Sequence, residues 1–208
     1  VFNISHLKKN ISFGYVFGLS FNLTAFYWIG VNSGADLITV LGSLFAAVFY
    51  LASFWAGAGL LFSLILKEDQ HLSGNIFFPF IIVIIEYLRS FGPLGFPWSN
   101  LALSQSKYIY FIQFIEITGT YGVSFIIIGF NIILYNVTQN KVSSLKGISF
   151  ISFILALLSI AGIGRIMSLP KSNQEITVAI VQPNINPNTK WQNKKEIIAF
   201  MDSLHQES

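Results

Sequence analysis

Glu86 and Arg89 are the residues of this chain most suited to chemistry. They follow the apolar run IFFPFIIVII and stand three apart, so on a helix they share a face. Inside apolar surroundings an acid and a base are costly unless they pair, face protein or reach lipid headgroups. Two readings stay open: a structural ion pair that anchors a helix end, or an arginine that holds a lipid phosphate. Glu116 is the second acid at such a depth, either a proton-handling group or an interfacial residue on a short amphipathic segment. Gln182 and Trp191 flank a β-rich stretch, where a Trp ordinarily packs. The chain has no Cys, hence no thiol nucleophile, disulfide or thiolate metal site within these residues. His6, His71 and His205 lie far apart in polar stretches. No nucleophile–base pair, metal-ligand spacing or glycine-rich phosphate loop occurs, and no cofactor is expected.

The elements that must position these groups are apolar helices. Of 208 residues, 53% are hydrophobic and 10% charged, against about 25% charged in soluble domains. Long uncharged runs make this an integral membrane protein rather than a soluble helical one. Spans are expected at about 11–32, 37–66, 75–91, 119–137 and 148–168, forming a polytopic domain over 1–170. Tyr27 and Trp28 suit an interfacial belt, and Asp36 suits the N-cap of the second span. Small residues of that span, among them Gly42, Ala52, Ala56, Gly57 and Gly59, permit close helix approach. Arg165 near the end of the last span can snorkel outward. The net charge of +3 points to anionic headgroups rather than nucleic acid. After Pro170 the character changes: 176–181 reads as a buried strand, and Ile197, Ile198, Met201 and Leu204 mark an amphipathic helix. One strand and one helix close no core, so 171–208 reads as the start of a second, incomplete domain of a longer chain that lacks its initial Met here.

Between the third and fourth spans lies a shaped loop. Gly92-Pro93 breaks the helix, and Gly95-Phe96-Pro97-Trp98 follows, its prolines holding the preceding residues extended and its aromatics suited to a membrane surface. The run from Glu86 through this loop to Ser104-Gln105 resembles the membrane-domain signature of bacterial apolipoprotein N-acyltransferases. Tyr121-Gly122-Val123-Ser124-Phe125 with Asn131, the stretch Val178 to Ile185 with Gln182-Pro183, and Lys190-Trp191 fit the same family in the same order.

The resemblance implies a multi-span α-helical membrane domain followed by the first strand and helix of a nitrilase-like (CN-hydrolase) α/β/β/α sandwich. It implies an enzyme of the bacterial inner membrane that moves an acyl chain from a phospholipid, through a thioester, onto the diacylglyceryl-cysteine N-terminus of an apolipoprotein. Its partners would be the phospholipid donor, the apolipoprotein acceptor and the bilayer. Glu86, Arg89, Phe96, Pro97, Trp98, Gln182 and Trp191 are then substrate-binding or entrance residues. The family's catalytic Glu, Lys and Cys are expected beyond Ser208, so this polypeptide alone is expected to be inactive. Two other classes remain open: a transporter or channel subunit with Glu86, Arg89 and Glu116 along its pathway, and a degenerate partner of the same family.

Loop basicity supplies an orientation. Lys8, Lys9, Lys67, Lys141 and Lys146 fall on one side, and Arg89, Lys107, Arg165 and Lys171 on or near the other. The bias favours a cytoplasmic N-terminus. An odd number of spans then puts residues after about 170 on the periplasmic side. In intact cells, a membrane-impermeant thiol reagent is expected to label a cysteine placed at Asn193 and to spare one at Ser144. The reverse pattern overturns the orientation.

Overall fold

The computed structural model describes residues 4–32, 35–65, 71–170 and 194–206, with positions 178, 180 and 182. Every regular element among the described residues is helical. They are α1 (Ile4–Phe26), α2 (Leu37–Ile65), α3 (His71–Arg89), α4 (Ile115–Thr138), α5 (Ser144–Met167) and α6 (Lys194–Gln206), with short 3₁₀ turns between some of them. Among the described residues, three segments are long and apolar enough to cross a membrane: Leu37–Ile65, Phe111–Thr138 and Ser144–Met167. The other two expected spans correspond to α1 and α3, which carry Lys8 and Lys9, and Glu86 and Arg89, respectively. Helix α1 starts at Ile4, ahead of the first expected span, and α3 starts at His71. A helix satisfies its own backbone whatever its side chains face, so a few lysines in the first turns do not prevent it. The strand expected at 176–181 lies mostly outside the described residues. Val178 and Ile180 are described, are 71% and 87% exposed, and belong to no strand. A single strand without a neighbour has no ladder to complete its hydrogen bonds.

The chain divides into two compact units. The smaller comprises Phe26–Ala47 and Pro170–Ser208. Here Asp36 caps α2: Thr39 donates from its backbone N–H at 3.0 Å and from its hydroxyl at 2.6 Å. These bonds, the hydroxyl's first, hold the exposed Asp36 carboxyl below the usual carboxylate range. The cap is therefore intact above the unfolded-state pKa and is lost as pH falls through the depressed value.

The larger unit comprises Val1–Ala25 and Val48–Leu169. Its core is Trp55, Ala58, Ile81, Ile82, Ile85 and Ile128, from α2, α3 and α4. Most large apolar side chains of the helices point outward, as they do where lipid replaces water: Phe13, Phe17, Phe80, Ile84, Phe153 and Ile160 are all at least half exposed or close to it. With little to gain from burying more apolar surface, the helices associate through close backbone approach. Cβ atoms at Gly14 and Gly59 would run into the carbonyls of Trp55 and Asn10 across the α1–α2 contact. Asn10 donates to Ser63 Oγ at 2.9 Å at the same crossing. Helix α4 breaks at Gly119, whose φ of 64° and ψ of −174° suit glycine alone. It ends on Asn140 in the left-handed region (φ 56°), with Lys141 N–H on Asn136 O at 2.9 Å and Asn140 N–H on Val137 O at 3.0 Å. That double bond closes the last turn, and Ser143 then caps α5 on Lys146 N–H.

Gly59→Leu is expected to destabilise the α1–α2 contact by about 1–3 kcal/mol. Gly164→Leu, with nothing within 4 Å of an added Cβ, is expected to be neutral. Thermal unfolding in detergent distinguishes them, and equal melting temperatures for the two variants overturn the close-approach assignment.

Candidate functional site

The buried face of α3 reads Ile81, Ile82, Ile85, Glu86, Arg89. This is one helical stripe that turns from apolar to charged in its last turn. Glu86 is 2% and Arg89 1% exposed. No ion pair within 4 Å joins them; among the described residues that arrangement is found at Glu116–Arg165. Each instead holds the loop that follows. Glu86 Oε1 accepts from Leu101 N–H at 2.7 Å, and Arg89 Nη2 donates to Asn100 Oδ1 at 2.7 Å. Glu86 Oε2, Arg89 Nε and Ser99 Oγ are buried without a protein partner. A direct phosphate contact needs an accessible guanidinium, and Arg89 lies under the loop.

The loop reverses on Gly92, at φ 82°, and is stitched back to α3 by Phe96 N–H on Arg89 O at 2.9 Å. Gly95 lies against the Ser90 carbonyl, where no Cβ fits. Two 3₁₀ turns follow, Pro97–Ser99 and Leu101–Gln105. Asn100 joins them in extended conformation, donating its N–H to Pro97 O and accepting from Leu103 N–H. Ala102 N–H donates to Ser124 Oγ of α4 at 3.2 Å. Small and polar residues therefore face inward (Ser99, Asn100, Ala102), while Leu94 and Trp98 are 68% and 64% exposed. Phe96 and Trp98 sit with ring centroids 5.6 Å apart. Inward polarity, with Trp98 outward and Phe96 half-buried beside it, suits a loop whose outer neighbour is lipid.

Helix α4 supplies the other wall. Tyr121 OH and Ser90 Oγ are 3.2 Å apart, and the Tyr121 and Tyr87 rings stack edge-on at 5.7 Å. The structure thus brings together two of the sequence segments singled out above, 86–105 and 121–125. Asn131 does not join them; its amide donates to Ile127 O of its own helix. Glu116 is held elsewhere, by two 2.7 Å hydrogen bonds from Arg165 at the end of α5. That bond was within reach of sequence reasoning, because the start of one helix and the end of its antiparallel neighbour lie at the same level. Asn100 and Ser124 were not singled out as site residues, since a lone Asn or Ser has no distinguishing pattern. Gln182 is exposed in the smaller unit, and Trp191 lies outside the described residues.

Comparison with known proteins adds an independent line. Residues 2–133 match the family model described as the apolipoprotein N-acyltransferase N-terminal domain. The chain is 30% identical over 209 residues to an apolipoprotein N-acyltransferase of Geobacter metallireducens, covering 95% of this chain and 40% of the relative. It is 31% identical over 183 residues to that of Rickettsia prowazekii, covering 86% and 36%, and 30% identical over 189 residues to that of Coxiella burnetii, covering 86% and 38%. It therefore spans some two fifths or less of the length of these curated relatives. No solved structure gives a significant match. The matched region contains the aromatic loop and both charges beneath it, and the chain belongs to the apolipoprotein N-acyltransferase family.

Proposed function

We propose that the whole protein is an N-acyltransferase of the bacterial inner membrane and that this chain is its lipid-facing part. The observation that carries the reading is the family match across 2–133, which includes the loop with its exposed Trp98. In the proposed reaction a cysteine thiolate attacks the ester carbonyl of a phospholipid. The lysophospholipid leaves as its alkoxide and takes up a proton. The α-amino group of a diacylglyceryl-cysteine then attacks the thioester, loses a proton and releases the thiolate. Such chemistry needs an activated nucleophile and oxyanion donors. A Glu, a Lys and a Cys after Ser208 would supply them, in a nitrilase-like domain on the periplasmic side that begins near residue 171.

Within the present residues, Phe96, Pro97 and Trp98 form the membrane-facing edge of the entrance. Glu86 and Arg89 support that edge from beneath, and Gln182 and Trp191 belong to the junction with the outer domain. Both substrates are lipids, so a site opened sideways to the bilayer accepts them without lifting their chains into water.

Full-length protein is expected to acylate a diacylglyceryl-cysteine lipopeptide with phosphatidylethanolamine as donor. Residues 1–208 alone are expected to form no thioester, for want of a thiol. Transfer by the 208-residue chain above a mock membrane preparation overturns the mechanism, and none by the full-length protein overturns the assignment. Arg89→Ala strands the Glu86 charge and is expected to cost about 3 kcal/mol or more in stability. Glu86→Ala combined with Arg89→Ala is expected to be the milder change, since no buried charge is left. Additive losses in thermal unfolding contradict the shared support.

A further inference from the structure

We propose that Asn100 is a positioning residue. By holding Arg89 it fixes the angle between the two turns of the aromatic loop, and so where Phe96 and Trp98 meet the lipid donor. The inference rests on the functional reading above for its kinetic consequence, and on geometry alone for its structural one.

Asn100 is the joint of the loop. It is the single extended residue between the turns Pro97–Ser99 and Leu101–Gln105, and its backbone bonds to both. A hinge residue of this kind sets direction by its two dihedral angles, and something must hold them. Its side chain is 8% exposed and accepts from Arg89 at 2.7 Å. The flanking residues are pinned on one side only: Leu101 N–H to Glu86, and Ala102 N–H to Ser124. Those two pins fix the second turn. The turn that carries Trp98 has no comparable bond to α4, its Ser99 hydroxyl lacks a protein partner, and Trp98 faces outward. The Asn100–Arg89 bond is thus the side-chain tie nearest the aromatic edge. A hydrogen bond from a guanidinium is stronger than a neutral one and directional. Arg89 in turn is kept in place by its burial on the α3 stripe beside Glu86.

The full-length protein, labelled with 5-fluorotryptophan in lipid nanodiscs, tests this. Trp98→Phe assigns the Trp98 fluorine resonance. Asn100→Ala is expected to shift or broaden that resonance, to raise the KM for phosphatidylethanolamine about tenfold, and to leave kcat within about twofold. Asn100→Asp keeps an acceptor for Arg89 and is expected to restore both. A merely structural Asn100 would lower the amount of folded enzyme and leave KM unchanged. An unmoved Trp98 resonance in Asn100→Ala, or Asn100→Asp as impaired as Asn100→Ala, overturns the proposal. If Asn100→Ala does not accumulate, Asn100→Ser, whose hydroxyl is too short to replace the amide oxygen against Arg89 Nη2, is expected to displace the Trp98 resonance; an unmoved resonance overturns the proposal equally. Absence of acyl transfer by the unmodified protein would sink the functional reading, and the fluorine resonance would still decide the role of Asn100.

Discussion

A carboxylate and a guanidinium lie side by side in the last turn of α3, and both are buried. In an apolar helix bundle such a pair is tolerated only if each charge finds hydrogen-bonding groups. Here the groups come from the chain itself: a backbone N–H from Leu101 and an amide oxygen from Asn100. The consequence runs outward. The loop has to return over the end of α3 to deliver those groups, which is why it reverses at Gly92 and presses Gly95 against the Ser90 carbonyl. Having turned its polar backbone inward, it shows Leu94, Trp98 and Leu103 on its outer face. The exposed aromatic edge is thus the far side of the same requirement that buries the charges.

Helix α4 completes that arrangement with few contacts. Ser124 receives Ala102 N–H, and Tyr121 meets both Ser90 and Tyr87. Its neighbour α5 fits against the turn before α4 because Gly162 leaves room for the Tyr110 carbonyl. In this helix bundle close approach of backbones does the work that apolar burial does in water. Glycines at the crossing points therefore matter more than the large residues around them.

Much of the helical architecture was legible in the sequence, because long uncharged runs admit few other structures in a bilayer. The cap at Asp36 was legible for a local reason: short polar side chains compete for backbone groups at helix ends. The pairing of Glu86 and Arg89 was legible only as a shared face. Spacing along a helix cannot say whether two charges meet each other or a third group, and here both met the loop. The partners in that loop were invisible for the same reason. Asn100 and Leu101 acquire their role from the chain reversal, and Ser124 from α4 packing on the loop. The expected first span begins at about 11 because Lys8 and Lys9 interrupt the apolar run, whereas helix formation asks only for a satisfied backbone and α1 starts at Ile4. The stretch after Pro170 carries strand composition; most of it lies outside the described residues, and Val178 and Ile180 belong to no strand.

The break at Gly119 has a mechanical consequence. Ahead of it, α4 is fastened to α5 through Glu116 and Arg165. Beyond it, Tyr121 and Ser124 are fastened to the end of α3 and to the loop. A continuous helix would act as a lever, carrying any displacement of α5 straight into the aromatic edge. A glycine joint interrupts the lever, because the backbone there departs from helical φ and ψ. The edge can then keep its seat when the foot of α5 is displaced.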